Sequence, residues 1–274
     1  QLKNIADSPL VLYAQGKIEK TKLGIGIVGS RRCSDYGRKV SNFLAKELAS
    51  YGVNIISGLA FGIDKAAHIG ALQADGYTTA VLGGGIHACY PKEHQKLFDE
   101  IKEKGCILSE EMYGCETKPF MFPKRNRIIS GISHGVLIVE AAKKSGSLIT
   151  ADFALEQGKE VFTIPHRLFD GFAEGSNNLT RQGAKMVYCA EDILQEFVQF
   201  DKKIKENNEK IEKELDEMEK IVYSCISYEP SHIENIFGKI NGTTMEDLHY
   251  YLLLLEMKGL IHKKSGCYYA RSEV

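Results

Sequence analysis

Between Leu23 and about Phe197 short apolar runs alternate with longer amphipathic stretches, and this rhythm restricts the possible folds more than any other feature of the chain. The runs cover residues 24–28, 53–56, 78–82, 106–108, 135–139, 160–164 and 185–187, mostly β-branched or aliphatic and mostly closed by Gly, Ser or Pro. The stretches between them space apolar residues three to four apart, as in Val40, Phe43, Leu44, Leu48 and Tyr51. That spacing gives a helix one buried face. Strand–helix alternation at this pace predicts an α/β fold with a doubly wound, mostly parallel, Rossmann-like sheet over residues 23–198.

The pattern changes at Gln199. Residues 199–214 are dominated by Lys, Glu and Asp, which reads as a solvated, charged linker rather than a binding face. Residues 215–274 then show helical patterns at 216–226, 231–237 and 243–258 and two short strands, 259–263 and 266–270, turning at Ser265-Gly266. Three helices and a terminal hairpin predict a small winged-helix domain. Residues 1–22 read as a lead-in strand or the tail of an upstream module, and with Gln1 first the chain is expected to be a piece of something longer. No apolar run approaches the ~20 residues a membrane span needs, and no charged-then-apolar leader is seen, so a soluble, cytoplasmic protein is expected. The 7 cysteines are scattered without a C-x-x-C pair, which argues against a disulfide framework and a zinc knuckle. A net charge of -1 means that any nucleic-acid site must be a local basic patch.

Two motifs mislead. Gly24, Gly26 and Gly29 spell a dinucleotide fingerprint, but the first two lie inside the predicted strand, and the next strand ends at Ile56-Ser57 without an acidic residue. Gly131-Ile132-Ser133-His134-Gly135 spells a nucleophile elbow, but it follows a helix and precedes a strand, so Ser133 reads as a turn residue. The histidines lack metal-ligand spacing. No cofactor, metal or catalytic group is expected.

Four segments carry chemistry. Gly29, Ser30 and Arg31, with Arg32 and a helix capped by Ser34 or Asp35, form an anion pocket, unless the arginines are merely solvated. Gly83, Gly84 and Gly85 let the backbone approach a ligand. Tyr90 then offers a face to a base, or packs under the loop, and Lys92 offers a charge to a phosphate. The densest segment holds Phe122, Lys124, Arg125, Asn126 and Arg127, aromatic and basic residues interleaved as single-stranded nucleic acid requires. The alternative for any one of its arginines is a structural ion-pair partner, for example of Glu140. Lys143, Lys144, Ser145, Gly146 and Ser147 open another helix, with Ser147 as its expected N-cap. The loops 29–36, 83–92, 120–127 and 143–147 all fall on the rim where doubly wound sheets bind ligands. Asp64 and His68, one helical turn apart, are read as structural: Asp64 as a cap after Gly62, His68 packing or pairing with it.

With these segments in order the chain resembles the DNA-processing protein A (DprA/Smf) family of bacteria. The resemblance rests on Val28-Gly29-Ser30-Arg31, Ser57-Gly58-Leu59-Ala60-Phe61-Gly62-Ile63-Asp64, Gly83-Gly84-Gly85, Tyr90-Pro91, the stretch from Phe122 to Gly131, and Ser145-Gly146-Ser147. It implies a non-catalytic protein that binds and protects incoming single-stranded DNA during natural transformation and helps load the recombinase RecA. It also implies a homodimer joined through the Rossmann-like domain, with Arg31, Lys92, Arg125 and Arg127 on the DNA, and Ser147 and the Gly83–Gly85 backbone on phosphate. His166 stands after Pro165 where relatives usually place Gly, and the family's upstream helical domain is expected to be missing from this stretch of sequence.

Two rivals share the fold class. A phosphoribohydrolase acting on nucleoside monophosphates needs a Pro-Gly-Gly-x-Gly-Thr loop where this chain has Ser145-Gly146-Ser147. A transcription regulator with a winged-helix reader needs basic or amide side chains at the start of its recognition helix, where this chain has Glu246 and Asp247.

Overall fold

The computed structural model describes residues 2–87, 89–197, 215–227, 230–240, 243–264 and 266–272. It divides into two compact units, residues 1–196 and 197–274. The expected linker at 199–214 and the turn residue Ser265 lie outside the described residues.

The first unit is built on strands β1 (Tyr13–Gly16), β2 (Gly24–Val28), β3 (Asn54–Ser57), β4 (Thr78–Leu82), β5 (Cys106–Ser109), β6 (Gly135–Ile138), β7 (Glu160–Thr163) and β8 (Lys185–Met186). Its helices are α1 (Asp35–Ser50), α2 (Ile63–Gln73), α3 (Gln95–Lys104), α4 (Met121–Ile132), α5 (Ser147–Glu156), α6 (Glu174–Arg181) and α7 (Ala190–Leu194). The strands form one sheet in the order β1-β5-β4-β3-β2-β6-β7-β8. Every pairing is parallel except that of β1, which adds antiparallel to the edge with Tyr13 opposite Ser109. The seven predicted strands are present within a residue or two, and the lead-in supplies the eighth.

Alternation inside the strands shows why both faces are covered. Val81 packs with Val28, Ile56, Ile128 and Val136, whereas its neighbours Ala80 and Leu82 pack with Leu59, Leu97, Phe98 and Ile107. A strand apolar on both sides is stable only between two helical layers. Gly24 and Gly26 serve this packing. A methyl group on Gly26 would lie 3.0 Å from Ser133 Oγ and 3.2 Å from Val136 Cγ2. Ser133 follows α4 as a turn residue, its Oγ donating to Ile129 O at 2.7 Å.

One element departs from expectation. Residues 120–127, read as a rim loop, belong mostly to α4. Pro123 sits in the first turn of that helix, where its missing N–H costs nothing. The basic cluster is therefore spread around a helix.

The strand order sets the site. From β2 the sheet proceeds to β3, β4 and β5 on one side and to β6, β7 and β8 on the other. Connections leaving β2 and β6 diverge, and a crevice opens between them at the carboxyl ends.

The second unit contains α8 (Glu217–Ser224), β9 (Ser231–His232), α9 (Ile233–Phe237), α10 (Met245–Met257), β10 (Ile261–Lys264) and β11 (Tyr268–Arg271). Its sheet runs β10-β11-β9, all antiparallel. Ser231 and His232, expected in a helix, form the third strand instead. The order helix, strand, two helices, hairpin is a winged-helix arrangement. Val222, Ile236, Leu248, Leu252 and Leu255 fill its core. Reciprocal capping boxes, Asp216 with Glu219 and Thr244 with Asp247, fix the starts of α8 and α10.

Candidate functional site

A cleft of about 630 Å³ lies at the switch point, lined from both sides of the crevice. Val28 to Arg32 contribute from the end of β2 and the turn after it, Ala60 from the turn before α2, Asp64 from the start of α2, and Tyr90 from the turn after β4. Phe122, Pro123, Arg125 and Asn126 come from α4, with Pro119 before it, and Ser145, Gly146, Ser147 and Thr150 from the start of α5.

The turn after β2 is held by a buried carboxylate. Glu140 accepts from Ser34 N at 2.8 Å through Oε2, and its carbonyl accepts from Ser30 N at 2.7 Å. Gly29 has no room for a side chain, since a methyl there would lie 2.6 Å from Ile63 Cγ1 and 2.9 Å from Glu140 O. Ser34 caps α1, accepting from Gly37 N at 3.0 Å. Glu140 is thus tied to the loop backbone rather than to an arginine. Across the cleft the Arg31 guanidinium lies 4.6 Å from the centroid of the Phe122 ring, and the Tyr90 ring sits 5.5 Å from the same ring. A cation held on an aromatic face beside a helix start suits an anionic, ring-bearing ligand.

The floor of the cleft holds two buried groups of opposite charge, Arg125 and Asp64. Arg125, 6% exposed, donates through Nη1 to Gly58 O at 2.7 Å and also to Val81 O. Gly58 makes room for it: a methyl there would lie 2.6 Å from Arg125 Cζ. Asp64 Oδ2 accepts from Gly58 N at 3.1 Å. Burial lifts the Asp64 carboxyl above the ordinary range, opposed by Arg125 and by the N–H groups of Gly58, Ala60 and Gly29. Burial pushes the Arg125 guanidinium down to about 10 against the pull of Asp64, so it stays charged at neutral pH. Leu59, between these groups, is held at φ 56°, a conformation L-residues rarely adopt.

The structure brings together Gly29, Ser30, Arg31, Tyr90, Phe122, Arg125, Asn126, Ser145, Gly146 and Ser147. It separates others. Arg127, 4% exposed, turns away to Glu110, with Nη2 2.7 Å from Oε1, and to Asp7, with Nε 2.9 Å from Oδ2. Lys124 pairs with Glu110 and Glu111, each at 3.2 Å, and Lys143 with Glu174 at 3.2 Å. Lys92 and Lys144 are exposed and do not line the cleft.

Gly83, Gly84 and Gly85 are buried, and their space is used by protein rather than left open to a ligand. A methyl on Gly83 would lie 3.0 Å from Phe122 Cδ1, one on Gly84 would overlap Thr117, and one on Gly85 would lie 2.7 Å from Met112 O. Gly146, not Ser147, is the N-cap of α5, and the Ser145 and Ser147 hydroxyls lie 2.8 Å apart. Sequence reasoning missed Asp64 as a cleft residue, reading it only as a helix cap. His68 does not pair with it. Its Nδ1 lies 2.7 Å from Thr78 Oγ1, and burial pushes the imidazole down to about 3. Among the described residues no cluster of His, Cys, Asp and Glu is placed to hold a metal ion, and no helix is long and apolar enough to cross a membrane.

Residues 1–198 match the family model of DNA recombination-mediator protein A. The chain is 48% identical over 200 residues to the DNA processing protein DprA of Bacillus subtilis, covering 72% of this chain and 67% of that protein. It is 32% identical to the Smf protein of Synechocystis over an alignment covering 98% of this chain and 77% of that one, which takes in the second unit. Among solved structures it superposes on DprA of Streptococcus pneumoniae with a TM-score of 0.69 at 43% identity, covering 72% of this chain and 69% of that one. It superposes on DNA processing protein A of Helicobacter pylori, a protein studied for its single-stranded DNA binding mode, with a TM-score of 0.67 at 31% identity, covering 72% and 91%. The crevice at the switch point, with its paired cation and ring, is therefore carried by a chain that belongs to the DNA recombination-mediator protein A family.

Proposed function

We infer that this chain binds single-stranded DNA in the switch-point cleft and delivers it to the RecA recombinase. It acts in the bacterial cytoplasm, as a homodimer joined through the Rossmann-like unit, and does no chemistry on the strand. The observation that carries this reading is the Arg31 guanidinium stacked on Phe122 with Tyr90 beside it. A phosphate meets the cation and the open start of α5, while bases meet rings, which is how a strand is gripped without reading its sequence. Single-stranded DNA binding by the H. pylori relative supports it. So does the state of Asp64, which is engaged with backbone N–H groups and Arg125 rather than aimed at a scissile bond.

The test compares affinity for single-stranded and duplex DNA of equal length at two salt concentrations. Preference for the single strand with steep salt dependence is expected, and equal or stronger duplex binding sinks the reading. Faster RecA filament formation on single strands, and a dimer mass in sedimentation, are the expected results for the two partners. Free base released from nucleoside monophosphates would instead establish the hydrolase rival.

A further inference from the structure

Outside the cleft, large apolar side chains also stand exposed on the connection from β5 to α4. Met112 is 69% exposed, Tyr113 76% and Phe120 64%. Single exposed apolar residues are ordinary, but three on one short connection at the ligand-binding edge call for a partner. The connection is also pinned. Gly85 N donates to Cys115 O at 3.1 Å, Cys115 N to Met112 O at 3.1 Å, and Gly114 N to His87 Nδ1 at 3.1 Å. Tyr113 packs its ring 4.9 Å from that of His87. These rings are held out by a fixed scaffold and lose little freedom when something lies on them.

The triple glycine links this platform to the cleft. Gly83 abuts Phe122, which lines the cleft; Gly84 abuts Thr117; and Gly85 abuts Met112 O and His87. Three consecutive residues span about 7 Å between the outer two Cα atoms. The cleft wall and the outer rings are thus on one short strip, with Phe120 next to the cleft residue Pro119 and two positions before Phe122 in sequence. Lys118, exposed on the same connection, supplies a cation, while Glu111 is already paired with Lys124; exposed Glu116 is the opposing charge.

We propose that Tyr113 and Phe120 form a second stacking platform, for the nucleotides that follow those held in the cleft. This rests on the single-strand reading given above. Rings interleaved with a cation, continuous with a cleft of the same character, fit the bases of a strand passing on from it. The triple glycine is then what lets the connection sit down close enough to extend the path.

The experiment measures equilibrium binding of oligothymidylates of about 6 and about 16 nucleotides, using the full chain. The wild-type protein binds the longer one more tightly. Tyr113→Ala and Phe120→Ala each remove about tenfold of that gain while leaving the short oligomer's affinity unchanged. A long oligomer made abasic beyond its first nucleotides keeps its phosphates and also loses the gain on the wild-type protein. If both variants keep the full length-dependent gain with unaltered thermal melts, the platform is refuted and the rings belong to a protein partner. If the wild-type protein binds neither oligomer, the single-strand reading itself falls, and the platform with it.

Discussion

Arg125 gives Nη1 to two carbonyls, those of Gly58 after β3 and Val81 in β4, whereas Arg31 lays its guanidinium on the ring of Phe122. The two cations line one cleft and should fail differently. Arg31→Ala removes a charge available to phosphate, so the salt dependence of single-strand binding should become shallower by about 0.7. Arg125→Met leaves Asp64 buried beside no cation, an expected loss of about 3–5 kcal/mol in denaturant unfolding. Its DNA salt slope, measured under folded conditions, should stay as in the wild type. Equal slopes for the two variants would show that the roles are not divided in this way. His68 gives a pH test. Its folded pKa of about 3 lies below the ordinary 6.5, so the unfolded chain binds more protons between those values. The resulting stability is present above pH 6.5 and is lost as pH falls towards 3. His68→Gln should flatten that part of the stability curve without weakening DNA binding. A collapse of binding with the fold intact would make His68 a site residue.

At the scale of elements, α4 shows how a helix can hide behind loop-like composition. Its first five residues include Phe122, Pro123, Lys124 and Arg125, and only the tolerance of a helix start for proline reconciles that string with helical structure. Once helical, Arg125 and Arg127 are about 200° apart around the axis, and so they reach different partners. Gly58, after β3, is the matching feature on the facing element. Gly58→Ala forces a methyl onto the Arg125 guanidinium. The variant should lose about 1–3 kcal/mol in chemical unfolding, and single-strand affinity should fall with it as the cleft floor shifts. Wild-type stability in that variant would mean that Arg125 repositions freely. In α10 the exposed first turn carries Glu246 and Asp247, and Asp247 is held by the capping box with Thr244, so this helix is poorly suited to a DNA groove.

At the scale of the whole molecule the two compact units imply separable duties. Deleting residues 215–274 should leave single-strand affinity close to that of the full chain, since every residue lining the cleft lies in the first unit. Loss of binding by a truncated chain that still melts cooperatively would place part of the DNA site on the second unit. The sequence by itself determined the strands, their alternation with helices, and the rim to which the ligand-binding loops run. Those features are written in local apolar spacing and in turn residues, each legible within a dozen positions. It also marked Arg31, Tyr90, Phe122 and the Ser145–Ser147 turn correctly as neighbours, because parallel strands bring their following loops to one edge whatever their order. Only the tertiary structure decided which cations face the cleft. Arg125 reaches Gly58 and Val81, and Arg127 meets Glu110 and Asp7, through contacts between elements far apart in the chain. The triple glycine was legible as a close approach, but whether ligand or protein fills it depends on where the β5–α4 connection packs. Strand order and helix facing set those partners, and no local pattern of residues encodes either one.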